Sequence, residues 1–525
     1  MALLALSARR ERSALLPPRD LSRTRSDLSL AASPASRRLT RRRMLGGAVG
    51  TAGLAALSQG SRGAWSAAPP PATPILTPAG ADFVDPPVLR SKDGRLDVAL
   101  EARFGPATMG GRAVTTYNFN GGVPGPTLRL KSGETLGVTL TNQLDQPTNL
   151  HTHGLHVSPA GHSDNIFLHL MPGETVAYEY AIPQDRTSGL YTPGFYWYHP
   201  HIHGISAEQV EGGLAGALII EGELDYLPGI RDLPERLLVL QATQFDADGV
   251  VKSFPEMEEI GIFVNGQSQP TLSIAPGETQ RWRILNASSF LFVSLALDGH
   301  QLHRIASDAN PLREVRSRDQ ILLSAGERVE VLIQGGPEGV YRLHSLPWGA
   351  DLKFQAQPDL PIATLVSAGP PAIPDPLPTT LLHVEDLRRA TIDRVRELTF
   401  SEELSPFRPL INNQAFDEHR VDQTVSLGAT EEWRLRNTSE DWHPFHFHVN
   451  DFQVVEINGE PVDAYSWEDT TPIPAYGEIV IRTRFLDFPG KFVYHCHILD
   501  HEDLGMMGVV EVVEGASPSA TPGGG

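Results

Sequence analysis

The chain has 525 residues, with 43 Lys+Arg against 63 Asp+Glu, 48 Gly, 43 Pro, 19 His and a single Cys. That length accommodates about three domains of roughly 150 residues, and the Gly and Pro load points to many short strands joined by turns rather than to helical bundles. One cysteine excludes a disulfide framework, Cys-rich zinc modules and iron–sulfur clusters, while a net charge of −20 excludes nucleic acid or anionic lipid as the main partner.

Residues 1–66 are a unit apart. They hold 12 Arg and only three acids, Glu11, Asp20 and Asp27, a balance of +9 that leaves −29 for the remainder. Thr40-Arg41-Arg42-Arg43-Met44-Leu45 precedes a small-residue apolar run, Gly46 to Leu57, and then Ala64-Trp65-Ser66-Ala67-Ala68. Basic, apolar and small-residue segments in that order read as a twin-arginine signal. The chain is therefore expected to be exported by the Tat machinery, to the periplasm or as a secreted protein. The apolar run falls short of the roughly 20 residues of a spanning helix, so no membrane association is expected after processing.

Downstream, the chain repeats itself. Pro126-Thr127-Leu128, Ser132-Gly133-Glu134-Thr135 and Thr139-Leu140-Thr141-Asn142 recur as Pro270-Thr271-Leu272, Pro276-Gly277-Glu278-Thr279 and Trp282-Arg283-Ile284-Leu285-Asn286. A looser copy runs from Leu427-Gly428-Ala429-Thr430 to Trp433-Arg434-Leu435-Arg436-Asn437. Spacings of 144 and 151 residues between the glycines make the repeating unit a whole domain. The two-residue alternation of Leu136, Val138 and Leu140, and of Trp282 and Ile284, is that of half-buried strands. The expected fold is all-β, three consecutive β-sandwich domains over 67–225, 226–368 and 381–514. A Pro-rich linker at 369–380 and a disordered tail at 515–525 complete the chain.

Histidines fall at matching places in the first and third copies. Nine and eleven residues after the closing Asn stand His151 and His153 in the first and His446 and His448 in the third, whereas the second has Leu295 and Leu297. The middle domain is expected to lack metal ligands and to act as a spacer. Two further clusters, His199-Pro200-His201-Ile202-His203 and His495-Cys496-His497, follow the strand-like runs Phe195 to Tyr198 and Phe492 to Tyr494. Because residues i and i+2 share one face of a strand, each His-x-His pair aims two imidazoles at one place, giving a cluster of eight. Cys496 must point the other way. There His443, with His501 and Met506 returning from the following loop, supplies two imidazoles, a thiolate and a weak axial thioether, the donor set of a blue-copper electron-transfer site. His203 has the parity to face the cluster as well.

With His-Thr-His-Gly (151–154), His-Pro-His-Ile-His-Gly (199–204), His-Pro-Phe-His-Phe-His (443–448) and His-Cys-His-x-x-x-His-x-x-x-x-Met (495–506) in this order, the sequence resembles the three-domain multicopper oxidases, in particular the bacterial laccase-like group. The likeness spans about residues 85–514. It implies cupredoxin-like Greek-key domains and four copper ions. His443, Cys496, His501 and Met506 would hold the type 1 copper, and His151 and His446 the type 2 copper. His153, His199, His201, His448, His495 and His497 would hold the type 3 pair, and His203 receives no role. Family members take single electrons from a reductant at type 1 and reduce dioxygen to two waters at the other three.

The remaining histidines, His156, His162, His169, His300, His303, His344, His383 and His419, read as surface or core residues. Met507 rivals Met506 as the axial donor, and the spacing to His501 favours Met506. Water formation needs protons at a buried site, which singles out Asp164, 13 residues after His151, and Glu502, next to His501. Asn286-Ala287-Ser288 and Asn437-Thr438-Ser439 match glycosylation acceptors but carry little weight behind a bacterial-type leader. The function read from these residues is a copper-dependent oxidase of phenols or aromatic amines with dioxygen as acceptor. The alternatives are a metallo-oxidase of cuprous, ferrous or manganous ions and a non-catalytic copper-binding envelope protein. A monomer is expected, since one chain carries every ligand.

Overall fold

Leu136, Val138 and Leu140 turn inward from the strand Thr135–Asn142, and Leu96, Val98 and Leu100 do the same from Arg95–Met109. The two strands run parallel in one sheet, and their inward faces close on a second sheet, so alternation in the sequence becomes a sandwich. This computed structural model describes residues 80–184, 193–252, 260–352, 355–374, 376–462 and 466–515. The twin-arginine leader at 1–66 and residues 516–525 of the expected tail lie outside the described residues.

Six sheets form three sandwiches. The first packs a four-stranded sheet on a five-stranded one between residues 88 and 221, the second seven strands on five between 235 and 367, and the third six on five between 394 and 513. The strand ending in the repeat's closing Asn pairs in parallel with an earlier long strand in every copy: Thr135–Asn142 with Arg95–Met109, Thr279–Asn286 with Glu235–Thr243, and Thr430–Asn437 with Arg394–Leu404. One cupredoxin-like Greek-key topology therefore occurs three times. Among the described residues no helix is long and apolar enough to cross a membrane.

Two features of the repeat have local causes. Gly133, Gly277 and Gly428 take φ of +82°, +81° and +88°, the left-handed turn that a side chain would strain. Asn142, Asn286 and Asn437 are buried corner residues. Each accepts from the backbone N–H two residues on and donates from Nδ2 to carbonyls, as Asn142 does to Leu170 O at 2.8 Å and Asn286 to Leu291 O at 2.8 Å. Burial of Asn286 and Asn437 in these corners removes both as glycosylation acceptors.

The sandwiches share apolar surface. Phe195 and Trp197 of the first, Val239 and Leu285 of the second and Leu499 of the third make one buried cluster, and each large side chain removed from water contributes about 1.5–3 kcal/mol. In the middle sandwich, Arg281 and Arg283 are buried and paired with Asp225, Glu235 and Glu330 at 2.7–2.9 Å. Leu295 and Leu297, which stand where the neighbouring copies carry histidine, lie in its core.

Candidate metal centre

The His-x-His strands meet as the alternation requires. His151 pairs in register with His199 in the first sandwich, and His446 with His495 in the third. The two sets face each other: the His151 ring stacks on His448 with centroids 3.9 Å apart, and His153 on His446 at 3.7 Å. His201 and His497 complete a fully buried group of eight imidazoles, in which the trios His151/His446/His448, His151/His153/His199 and His201/His448/His495 each bring ligand nitrogens within 4.8 Å.

The outer nitrogens are fixed by acceptors, which sets the inner ones. Carbonyl oxygens take Nδ1–H of His199 (Pro200, 2.9 Å), His446 (Asp469, 2.8 Å) and His495 (Cys496, 3.0 Å), and the Asp164 carboxylate lies 3.0 Å from His151 Nδ1. The free lone pairs of His151 Nε2, His199 Nε2 and His446 Nε2 then point inward without a hydrogen-bond partner. Nε2 of His495 stands 3.2 Å from His201 Nε2 and 3.3 Å from His448 Nε2. Burial, reinforced by neighbouring imidazoles, pushes the pKa of His151, His201 and His448 far down, so protons do not relieve this crowding. Converging neutral lone pairs in a buried site fit bound metal cations.

Across the strand, Cys496 Sγ lies 3.6 Å from His443 Nδ1 and 3.8 Å from His501 Nδ1, and the two nitrogens are 3.4 Å apart. Burial drives the thiol pKa well up, so a thiolate here needs a cation beside it. His501 sits on a short helix, Leu499–Asp503, rather than in a loop, and Met506 follows directly. Met506 shares the buried apolar cluster of Cys496, whereas Met507 packs with Ile166 and Val493 on another face. Ser439 Oγ is 2.7 Å from His443 Nε2.

Asp164 also accepts from the Thr152 N–H at 2.7 Å, yet its burial lifts its pKa to about 7. Glu502 accepts from Ser206 Oγ at 2.9 Å and reaches Nδ1 of His495 at 3.2 Å and of His201 at 3.4 Å, with its pKa raised well above the ordinary range by burial. Both carboxylates therefore touch the cluster from outside it.

Three residues escaped the motif reading. Asp469 Oδ1 lies 3.0 Å from His153 Nε2, leaving Nδ1 of that ring to face inward. Arg328, from the middle sandwich, grips Asp469 with both terminal nitrogens at 2.7 and 2.5 Å. Burial alone would discharge Arg328, but Asp469 and Asp308 hold it firmly cationic. Glu402 is buried 3.8 Å from both His443 and His501, its two oxygens without hydrogen bonds and its pKa lifted to about 7 by burial and by Asp441 and Glu440. None stands within a His motif, and only the spatial folding of distant strands assembles them. The spacer expectation for the middle domain is thus corrected, since its Arg328 reaches the cluster's support. His203, which parity would let face the cluster and to which the resemblance assigns no role, is exposed, packs edge-on against Phe416 at 4.9 Å, and does not join the imidazoles.

Family models described as multicopper oxidase match residues 103–225, 197–360 and 384–516. The chain is 29% identical over 419 residues to a multicopper oxidase of Staphylococcus haemolyticus, a match covering 76% of this chain and 84% of that protein. It is also 29% identical over 459 residues to the cell division protein FtsP of Xenorhabdus nematophila, covering 81% and 91%. The solved structure of a Campylobacter jejuni multicopper oxidase, described as a metallo-oxidase, superposes with a TM-score of 0.72 at 27% identity, covering 83% of this chain and 96% of that one.

Proposed function

We propose that this chain, which belongs to the multicopper oxidase family, oxidises phenols and aromatic amines one electron at a time and returns four electrons to dioxygen, forming two waters. His443, Cys496, His501 and Met506 would hold one copper, His151 and His446 a second, and His153, His199, His201, His448, His495 and His497 a pair. Copper supplies one-electron redox steps and the site at which dioxygen is reduced. The observation that carries the reading is that Cys496 and its strand neighbours His495 and His497 serve opposite sides of one strand, so the peptide backbone joins the two ligand sets covalently.

The chain's own groups divide the remaining work. Asp164 and Glu502 hold protons at carboxyl oxygens within hydrogen-bond reach of ligand histidines, where water formation consumes them. Of the mononuclear set, His443 is sealed, whereas the His501 side chain keeps 10% of its surface exposed. Phe407 lies 5.6 Å from that ring, an aromatic neighbour suited to a small aromatic reductant. Twin arginines at Arg41 and Arg42 support export of the chain.

A second reading, oxidation of ferrous, manganous or cuprous ions, is favoured by the buried Glu402 beside His443 and His501, by the acidic charge beyond residue 66 and by the description of the Campylobacter protein. Only five methionines lie beyond residue 66, which weighs against the cuprous form. Likeness to FtsP raises a non-catalytic role, and retention of the full ligand set weighs against it. Steady-state oxygen uptake by copper-loaded protein on a phenol, an aromatic amine and each metal ion separates these. Faster turnover on the organic reductants supports the proposal, a strong preference for a metal ion replaces it with the second reading, and no uptake on any reductant favours the third.

A further inference from the structure

The middle sandwich contributes no histidine to the eight-imidazole cluster, yet one of its side chains lies at the cluster's edge. Arg328, on the strand Arg328–Gln334, is fully buried and touches all three sandwiches. Its Nε donates to Phe195 O of the first at 3.1 Å, its Nη1 to Gly326 O of its own loop at 3.2 Å, and its fork to the Asp469 carboxylate of the third. Asp308, also of the middle sandwich, braces the same pair. Its Oδ1 accepts the Arg328 N–H at 2.9 Å, and its Oδ2 accepts the N–H groups of Asp469 at 3.3 Å and Thr470 at 3.1 Å.

What the clamp holds is the outer edge of two imidazoles from different sandwiches. Asp469 Oδ1 and Thr470 Oγ1 both lie 3.0 Å from His153 Nε2, and Asp469 O and Thr470 Oγ1 lie 2.8 and 3.2 Å from His446 Nδ1. Those contacts decide which nitrogen of each ring faces inward. The space is fitted to the clamp: a Cβ at Gly154, next to His153, would stand 2.1 Å from Asp469 Oδ2 and 2.6 Å from Arg328 Nη2. The same loop of the middle sandwich presses on a third ring, because a Cβ at Gly326 would meet His497 at 3.0 Å.

We infer that Arg328 is a positioning residue of the three-copper cluster: through the bidentate bond to Asp469, the ligand-free middle sandwich sets the orientation of His153 and His446. A planar fork suits this task and an ammonium does not, since only the guanidinium can hold both carboxylate oxygens in one plane. The inference rests on the copper-oxidase reading above. The Cys496 centre lies outside the clamp and serves as an internal control.

The test compares wild type, Arg328→Lys and the near-isosteric Asp469→Asn after copper loading, by copper per chain, the blue absorption of the Cys496 centre and the paramagnetic resonance of the type 2 copper. Each variant is expected to keep the blue absorption per chain, to show an altered type 2 signal, and to lose cluster copper to a chelator at concentrations about 10–100-fold lower than wild type. Either of two results overturns the inference: both variants hold copper and give a type 2 signal as wild type does, or blue absorption and cluster copper fall together, which marks general destabilisation. Should Arg328→Lys fail to fold, Asp469→Asn is judged alone by the same two criteria. A wild-type chain that takes up no copper would overturn the oxidase reading itself.

Discussion

Asp164 carries His151 from behind, its Oδ2 3.0 Å from Nδ1 of the ring, while the opposite nitrogen of that ring points into the cluster. One carboxylate can thus orient a ligand and store a proton, and two substitutions separate the roles. Asn retains an acceptor for Nδ1–H but cannot give up a carboxylic proton. Asp164→Asn is expected to keep its copper and lose turnover by about 10²-fold, whereas Asp164→Ala loses copper about 10–100-fold more readily. Copper assays and steady-state kinetics on the same preparations check both, and an Asn variant with wild-type turnover would leave Asp164 an orienting role only.

Glu502 faces the other flank of the cluster, between Ser206 and the rings of His201 and His495. Glu502→Gln is expected to lower kcat by about 10²-fold while KM for the phenol changes little, because the Glu502 carboxyl faces His201 and His495 rather than the set of His443, Cys496 and His501. Loss of the blue absorption in this variant would point instead to a structural defect.

Gly154 adopts φ of +82° and has no room for a Cβ against Asp469 and Arg328. Gly204, at φ +90°, has nothing within 4 Å of the same position. Gly204→Ala therefore carries only the left-handed strain of about 1–2 kcal/mol, and Gly154→Ala adds displacement of the clamp. Thermal unfolding should show the larger loss for Gly154→Ala, together with weaker copper retention.

Acid should weaken the middle sandwich first through its arginine network. Burial would raise the Glu235 and Asp225 carboxyls, but Arg283 outweighs it, with Arg129 also acting on Glu235 and Arg281 on both, and both pKa values lie below their ordinary range. A carboxylate depressed in the folded state contributes stability that is present above its unfolded pKa, about 4, and is lost as pH falls through the folded value. Unfolding midpoints should accordingly drop below about pH 4. Glu235→Gln should be less stable by about 1–3 kcal/mol near neutral pH and show a shallower acid slope.

The alternating histidines were legible in the sequence because strand geometry is local: spacing two along a strand fixes the face, and the apolar Leu295 and Leu297 announced a middle copy without imidazoles. The repeat glycines were legible for the same reason. Arg328 and Asp469 were not, being 141 residues apart and joined only when two sandwiches dock. Glu402 likewise meets His443 and His501 across strands that no motif connects. Parity lapses at His203, since the strand Gly194–His199 has ended and, past the inward-facing His201, the chain turns where the Ile205 N–H donates to Ile202 O.

The proposed electron path runs through Cys496, from a site of reductant oxidation to a site of dioxygen reduction. Its most direct test is oxygen uptake on a phenol by copper-loaded wild type and Cys496→Ser, with copper content and the visible spectrum recorded alongside. Wild type is predicted to be blue and to consume one dioxygen for each four electrons taken from the phenol. The Ser variant is predicted to be colourless, to retain the cluster copper, and to take up no oxygen above background. A Cys496→Ser protein that oxidises the phenol at the wild-type rate would rule out that path.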